Sequence, residues 1–169
     1  MPTNNFDIAI VGMGAAGLHL ALALADAPHF SKSKVLLLDK DPKEQNDRTR
    51  CFWEKGDGNW DKLLHRQWAH GDFFFRDVHT QLDLRPYRYK MLRGLDFYHF
   101  AKQKLLDNSR FDWQQAEVLG VEEGSPMRLT TTAGSFSANL VFDSRSPTDF
   151  TDGKGNSTRI LQSFKGWFV

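Results

Sequence analysis

The chain has 169 residues, of which 40% are hydrophobic and 25% are charged, a composition typical of a globular protein and not of a disordered one. Its formal net charge is +1 and its basic residues are scattered, so we expect no nucleic-acid partner. Cys51 is the only cysteine, which excludes a disulfide framework and fits a reducing cytoplasm.

An apolar stretch from Ile8 to Ala25 lies close to the N-terminus. A secretory signal would carry positive charge before it, where this chain has Asp7, and three glycines thin the stretch too much for a membrane span. Apolar residues alternate up to Ile10, as in a strand, and from Ala15 onward they recur at helical spacing. The pattern therefore predicts a strand that passes through glycines into a helix, and neither a secreted nor a membrane-spanning segment.

Gly12, Gly14 and Gly17 form G-x-G-x-x-G at this junction. The pattern predicts a cradle for a pyrophosphate. Gly12 permits a tight turn, Gly14 lets the backbone approach the phosphates, and Gly17 lets the helix lie close to the strand. Ala15 and Ala16 complete the first helical turn, whose unpaired N–H groups and partial positive charge would face the phosphates. We predict that all five residues bind the cofactor.

An acid follows this helix at the expected distance. The segment "KVLLLDKD" predicts a buried parallel strand with Asp39 at its carboxyl end, 22 residues after Gly17. A carboxylate at this place accepts hydrogen bonds from an adenosine ribose, so we predict that Asp39 and its neighbour Lys40 bind the cofactor. The acid would repel a 2′-phosphate, which favours FAD or NAD over NADP. Strand, helix and strand together predict an α/β fold with a Rossmann-like βαβ unit and a parallel sheet.

A region inserted at residues 41–94 is expected within a dinucleotide-binding domain of residues 1–150. From it, Arg48 could reach the cofactor phosphates or remain a solvated surface residue. The predicted elements of this region are a polar loop over 41–60, a short helix over 61–70 and one or two strands ending at Pro86.

The rest of the chain predicts further elements of the sheet. Apolar residues at helical spacing predict an amphipathic helix over 95–106. The segment "LTTTAGSFSANL" predicts a hairpin turning at Ala133-Gly134, and "LVFD" predicts a second buried strand that ends at Asp143. The histidines have no metal-ligand spacing, so no metal site is predicted. The apolar segment "ILQSFKGWFV" has no later element to cover it, so we expect a fragment in which 151–169 begin a largely missing substrate domain.

The order of these elements resembles the FAD-binding domain of the glutathione-reductase-type flavoproteins. Within it, "QQAEVLGV" resembles the strand whose backbone contacts the flavin adenine, near Val118, and "LVFDSR" resembles the strand that returns to the cofactor at Asp143. The segments "LLLDKDPKEQNDRTRCFWE" and "QSFKGWFV" narrow the resemblance to the bacterial lycopene cyclases. That family carries a Trp where this chain has Arg50, a departure that leaves the cradle untouched.

This resemblance implies a reduced FAD, recharged by NAD(P)H, and a proton-initiated ring closure at the ends of a linear carotenoid with no net oxidation. It also implies a cytoplasmic protein in peripheral contact with the membrane that dissolves its substrate. The acids that act on the substrate are expected beyond Val169, so no catalytic residue is predicted, and Glu54 is the one carboxylate before that point with any claim to such a role.

Two alternatives stay open. One is a FAD-dependent monooxygenase of the aromatic hydroxylase type, which usually carries Asp-Gly where this chain has Asp143-Ser144. The other is a dinucleotide-binding module without catalysis.

Overall fold

The computed structural model describes residues 5–145, which form two α-helices, two one-turn 3-10 helices and eleven strands. In chain order the helices and strands are β1 (Asn5–Val11), α1 (Ala15–Asp26), a 3-10 helix (Pro28–Phe30), β2 (Val35–Asp39), β3 (Thr49–Lys55), a 3-10 helix (Asp61–Leu63), β4 (Arg66–Trp68), β5 (His70–Phe75), β6 (Val78–Asp83), β7 (Tyr87–Arg93), α2 (Gly94–Leu106), β8 (Phe111–Gln115), β9 (Val118–Glu122), β10 (Met127–Thr131) and β11 (Gly134–Asp143).

A six-stranded sheet in the order β8-β2-β1-β11-β10-β9 forms the main body. β8, β2, β1 and β11 run parallel, whereas β9, β10 and β11 form an antiparallel meander. The Rossmann-like α/β fold with a parallel sheet and an added hairpin is therefore confirmed. In such a sheet the carboxyl ends of β1, β2 and β11 meet at one edge, where α/β folds bind ligands.

The two faces of this sheet are covered differently. Side chains alternate along β1, so Ile8 and Ile10 lie on one face and Ala9 lies on the other. The first face packs against α1 and α2, with Phe97 of α2 in the same buried cluster as Ile8 and Ile10. On the second face Ala9 is buried with Leu129 of the meander. Both faces of the two central parallel strands, β1 and β2, are thus buried over most of their length, which explains their nearly unbroken apolar sequences.

The region 41–94 forms strands where a loop and a helix were predicted. β3 occupies the later part of the predicted loop over 41–60, because it pairs along its whole length with β7. The predicted helix over 61–70 is wrong as well: this segment holds a 3-10 helix and β4, which pairs with the other edge of β7. Pairing with a strand distant in sequence outweighs the local helical spacing on which the prediction rested.

The strands of this region also continue past Pro86. β5 and β6 form a separate two-stranded hairpin, and β7 begins directly after the proline at Tyr87. Gly71, Phe73, Phe75, Val78, Thr80 and Leu82 share one face of the hairpin by register. Apart from Thr80 this face is apolar, and four of its side chains are exposed large hydrophobics: Phe73, Phe75, Val78 and Leu82. The hairpin is therefore amphipathic, with an apolar face that nothing within residues 5–145 covers.

The predictions for the later part of the chain fare better. The helix over 95–106 is confirmed as α2. The hairpin is confirmed too, but it turns at Thr132-Ala133, one residue earlier than predicted, because Gly134 already pairs with Thr131. "LVFD" forms a strand that ends at Asp143, as predicted, but the prediction that it is buried is wrong, because Leu140 is 46% and Phe142 39% exposed. These two side chains lie on the same face of the sheet as their register partners Ile8 and Ile10, which is the face that packs against the helices. They are exposed because α1 and α2 do not extend over β11.

Within residues 5–145 neither helix is long and apolar enough to cross a membrane. In the same range no three histidine, cysteine or acidic side chains lie close enough together to hold a metal ion. The segment 151–169, with "QSFKGWFV", lies outside the described residues, and the division into domains stays a prediction.

Candidate cofactor site

A cleft of about 920 Å³ opens where the carboxyl ends of β1, β2 and β11 meet the start of β9. It is lined by Val11, Gly12, Leu38, Asp39, Lys40, Ala116, Glu117, Val118, Leu119, Asp143 and Arg145. The structure thus brings together five of the predicted cofactor residues, Gly12, Asp39, Lys40, Val118 and Asp143, which are spread over more than a hundred positions of sequence.

The three glycines of the loop between β1 and α1 differ in what surrounds them. Gly12 has a φ of +95°, and a Cβ there would lie 2.1 Å from Ser144 Oγ. A Cβ on Gly17 would lie 2.0 Å from the carbonyl oxygen of Gly12, so the helix approaches the strand too closely for any side chain. A Cβ on Gly14 would meet nothing within 4 Å. Protein packing accounts for the first and third glycines, whereas the second faces open space.

The N-terminus of α1 borders that space. Gly14 is the N-cap residue and has no side chain to cap the helix, and the first turn carries no acid. The N–H groups of Ala15, Ala16 and Gly17 have no acceptor within the helix, as at every helix start. Together with the helix dipole they make this end suited to an anion such as a phosphate.

Asp39 turns its carboxylate toward the glycine loop and not toward solvent. Its Oδ2 accepts a hydrogen bond of 2.6 Å from the Met13 amide, and its Oδ1 accepts one of 2.9 Å from the Asp41 amide. Lys43 Nζ lies 3.3 Å from Oδ2, and both side chains of this ion pair are only 11–12% exposed. The carboxylate therefore lies between the end of β2 and the glycine loop, and its contact with a ribose stays a prediction.

Two further ion pairs border the cleft. Lys40 Nζ lies 3.2 Å from Glu117 and joins the end of β2 to the start of β9. Arg145 binds Asp143 through two guanidinium nitrogens, and its third nitrogen donates to the Val118 carbonyl. The hydrogen bonds from Arg145 lower the pKa of Asp143, so this acid stays ionised. The predicted adenine contact near Val118 stays a prediction, since its carbonyl is bound by Arg145.

Arg48 does not line the cleft. Its side chain is exposed, and its carbonyl accepts a hydrogen bond of 2.7 Å from the Gly94 amide at the start of α2. Two neighbours also anchor the loop to this helix, since Asn46 Oδ1 accepts from the Leu95 amide and Asp47 Oδ1 accepts from the Tyr98 hydroxyl. The "NDR" segment thus caps α2, and the predicted phosphate contact of Arg48 stays a prediction.

A family model described as "Lycopene cyclase protein" matches residues 7–169. The chain belongs to the lycopene cyclase family. Because the match begins in β1, it includes the glycine loop and every residue that lines the cleft. No curated protein matches this member of the lycopene cyclase family.

Solved structures with a similar fold come from other enzymes. A crystal structure of a PqsL mutant from Pseudomonas aeruginosa is 14% identical, with a TM-score of 0.61, and the match covers 81% of this chain and 42% of that one. A second structure of PqsL, a probable FAD-dependent monooxygenase, is 10% identical, with a TM-score of 0.59. The halogenase PltM in complex with phloroglucinol and FAD is 12% identical, with a TM-score of 0.59 and coverage of 83% and 34%. At these identities the similarity shows a shared fold only. This member of the lycopene cyclase family spans about a third to two fifths of the length of the chains it matches.

Glu54, the one candidate carboxylate for catalysis, is bound in a structural cluster. It accepts a hydrogen bond of 2.8 Å from Lys90, whose side chain is fully buried. The same ammonium donates to Asp61 at 2.5 Å and to the Gly56 carbonyl at 2.9 Å. Burial opposes the charge on Lys90, but the hydrogen bonds that its ammonium donates to Asp61 and Glu54 outweigh this effect and raise the pKa of the lysine. Glu54 therefore serves as a counter-ion in the inserted sheet.

Three residues of the site were missed by sequence reasoning: Lys43, Glu117 and Arg145. Arg145 follows Asp143 by two positions, and Lys43 follows Asp39 by four in "DKDPK". The segment "DKDPK" did carry a signal, because an aspartate side chain often accepts a hydrogen bond from the backbone amide two residues later, in an Asx turn. Asp39 and Asp41 are placed for two such turns, the second of which ends at Lys43. Glu117 left no signal, since its partner Lys40 is 77 residues away.

Proposed function

We propose that this chain is the FAD-binding part of a lycopene cyclase, an enzyme that closes rings at the ends of a linear carotenoid without net oxidation. Membership of the lycopene cyclase family, from a match over residues 7–169, supports the reaction class. The cleft at the sheet edge supports a dinucleotide as the bound cofactor.

Gly14 is the observation that carries the cofactor assignment. The fold itself leaves room for a side chain at this position, so a glycine is required there only when something else occupies the space. The adjoining N–H groups of Ala15 and Ala16 suit a pyrophosphate, and Asp39 suits the adjoining ribose. FAD fits these three features, and a fold shared with a halogenase that holds FAD supports the same choice.

The residues of this chain would bind and orient the cofactor and would not move protons on the substrate. Bound in its reduced form, FAD would supply a negatively charged ring system close to the cationic centre that ring closure creates. NAD(P)H is the proposed electron donor that keeps it reduced. No carboxylate of residues 5–145 is assigned as the acid, and Glu54 is excluded from that role because Lys90 binds it.

The substrate in this proposal is a lycopene-like polyene, which dissolves in membranes, so we place the enzyme in the cytoplasm at the inner membrane surface. The apolar face of the β5–β6 hairpin supports such a contact, because Phe73 and Phe75 lie exposed side by side on it. Arg76, at the turn of this hairpin, would suit the anionic headgroups of a lipid surface.

An absorbance scan of the purified chain tests the cofactor, with the released nucleotide identified after denaturation. We expect flavin absorption and FAD in the supernatant, and a colourless protein that also fails to take up added FAD would contradict the proposal. The reaction is tested with the full-length enzyme, lycopene and NAD(P)H under anaerobic conditions. We expect cyclic carotenoid, with far less than one NAD(P)H consumed per ring.

A flavin monooxygenase is the second candidate, favoured by the fold shared with PqsL. Its reaction consumes one O2 and one NAD(P)H for each product, so the anaerobic assay separates the two. Loss of product without oxygen would support the monooxygenase and contradict the cyclase.

A further inference from the structure

Lys43, in the loop after β2, has an uncommon backbone conformation that two hydrogen-bonded turns hold in place. Its φ is +60°, a left-handed conformation that a lysine rarely adopts. Two successive side-chain turns fix it there: Asp39 Oδ1 accepts from the Asp41 amide, and Asp41 Oδ1 accepts from the Lys43 amide at 2.7 Å. The fold therefore maintains an uncommon backbone geometry that returns the lysine side chain toward Asp39.

The side chain of Lys43 is largely withdrawn from solvent. It is 11% exposed, and its ammonium lies 5.7 Å from the centre of the Tyr98 ring, within range of a cation–π contact. Tyr98 is itself buried and donates its hydroxyl hydrogen bond to Asp47. The Lys43 side chain thus packs against an aromatic ring that is itself held in place, which restricts the positions that its ammonium can reach.

The position of that ammonium relates it to the phosphate cradle. Lys43 Nζ pairs with Asp39 Oδ2, and the same oxygen accepts from the Met13 amide, in the middle of the glycine loop. Only one carboxylate oxygen therefore separates the cation from the loop. The two basic side chains that line the cleft are bound to other acids, Lys40 to Glu117 and Arg145 to Asp143, whereas Lys43 is not a lining residue and is joined to the cleft through Asp39.

A bound dinucleotide changes the charge balance at this point. Its diphosphate would bring negative charge close to Asp39, and like charges at short range repel unless a cation lies between them. The N–H groups of α1 supply partial charge only. Lys43 is the cation that already contacts Asp39, whose Oδ2 also binds the Met13 amide of the loop.

We propose that Lys43 is a binding residue for the diphosphate of the cofactor, held by Asp39 until the dinucleotide enters. The ribose hydroxyls then donate to Asp39, and the Lys43 ammonium turns to a phosphate oxygen. This proposal rests on the proposed FAD site. It separates Lys43 from the acid that binds the ribose, since the two residues recognise different parts of one ligand.

The test measures dissociation constants of FAD, ADP and adenosine for the purified chain by calorimetry, with Lys43→Met, Lys43→Arg and Lys104→Met. Lys104 is a matched control, because it also pairs with an acid, Asp26, but at the opposite end of α1, about 18 Å from the loop by helix rise. We expect Lys43→Met to weaken FAD and ADP about tenfold or more, as for the loss of a charged hydrogen bond, and to leave adenosine within about twofold. Lys43→Arg should restore most of the affinity, and Lys104→Met should change nothing.

Two results would overturn the role of Lys43 while leaving the FAD site standing: unchanged affinities in Lys43→Met, or an equal loss for adenosine and ADP, which would make Lys43 a support for Asp39 alone. A wild-type chain that binds neither FAD nor ADP would instead contradict the proposed function itself. Circular dichroism of each variant checks folding, and Lys43→Gln replaces Lys43→Met in the comparison if the methionine variant unfolds.

Discussion

The amide of Met13 donates a hydrogen bond of 2.6 Å to Asp39 Oδ2, which ties the glycine loop after β1 to the end of β2. The acid of the site thus has a structural partner as well as a predicted ligand. Its other contacts, with the Asp41 amide and the Lys43 ammonium, leave little of the carboxylate unused.

Asp39→Ala should therefore weaken FAD binding by about 1–3 kcal/mol, the loss of a charged hydrogen bond to the ribose together with a less ordered loop. Asp39→Asn keeps an acceptor for the Met13 amide and should lose less. Titration of FAD into the apo-protein measures both. Asp7→Ala is the control, because Asp7 also accepts a backbone hydrogen bond, from Lys34, but near the amino end of β1. Equal affinities in Asp39→Ala and Asp7→Ala would count against the ribose role.

Gly14 and Gly17 allow binding and folding to be separated. Gly14→Val places its side chain in open space, in an extended backbone that valine tolerates, so only the weaker N-cap should lower the thermal midpoint, by no more than about 4 °C. The same side chain would block the phosphates and abolish flavin retention.

Gly17→Ala should behave in the opposite way. Its Cβ would lie 2.0 Å from a backbone oxygen, which neither element can move without separating α1 from β1. We expect a loss of about 1–3 kcal/mol in the free energy of unfolding, measured by chemical denaturation. For the other variant, Gly14→Val, flavin retention at the parental level would disprove the proposed binding of phosphate by the glycine loop.

The contrast between these glycines shows how far sequence reasoning reached. The G-x-G-x-x-G pattern and the change of hydrophobic period predicted β1, α1 and β2, because these elements depend on local spacing and on burial of both faces. The position of Asp39 followed from the same unit. The pairing of β3 and β4 with β7 was not predicted, because it joins residues that are far apart in sequence, such as Cys51 and Met91, which are 40 residues apart.

The side-chain pairs of the cleft were missed for the same reason. Lys40 meets Glu117 because β2 pairs with β8, with Asp39 opposite Gln115 at the ends of the two strands, and nothing in either local sequence indicates this pairing. Arg145 was missed for another reason. Its neighbour Asp143 was predicted as a site residue, but Arg145 reaches the Val118 carbonyl only because β10 pairs with both β9, which begins at Val118, and β11, which ends at Asp143.

The buried Lys90 makes acid stability testable. The hydrogen bond from Lys90 holds the pKa of Asp61 below its usual value of 3.8. A carboxyl whose pKa is lower in the folded state stabilises the protein above its unfolded pKa, and this contribution is lost as the pH falls through the folded pKa. Stability should therefore decline below about pH 4, and Asp61→Asn should be less stable at pH 7 but decline less steeply in acid.

Lys90→Met provides the complementary variant. It leaves Glu54 and Asp61 without their shared cation, and we expect a loss of about 2 kcal/mol in the free energy of unfolding at pH 7. This is less than the roughly 3–5 kcal/mol for breaking a fully buried pair, because both acids keep some solvent contact. Lys104→Met removes an exposed pair and should stay within about 0.5 kcal/mol. Urea titrations between about pH 3 and pH 7 give both results. Parallel pH curves for the parent and Asp61→Asn would contradict the account.

The two faces of the β5–β6 hairpin make the proposed membrane contact testable within one element. Phe73 and Phe75 lie on the apolar face, whereas Phe74 lies on the polar face, stacked at 4.3 Å on His79, which also bonds Asp72. All three rings are more than half exposed, so each can be replaced without opening the core.

The double variant Phe73→Ser, Phe75→Ser should bind vesicles of phosphatidylethanolamine and phosphatidylglycerol about fivefold or more weakly than the parent, because it removes two rings that would be buried in the lipid. Phe74→Ser is the control, since it removes a ring of equal size from the same strand and should alter vesicle binding little. Co-sedimentation measures the bound fraction, with circular dichroism to show that the strands persist. If Phe74→Ser lowers binding as much as the double variant, the apolar face is not the lipid-contacting surface; if neither variant lowers it, the hairpin does not attach the protein to the membrane.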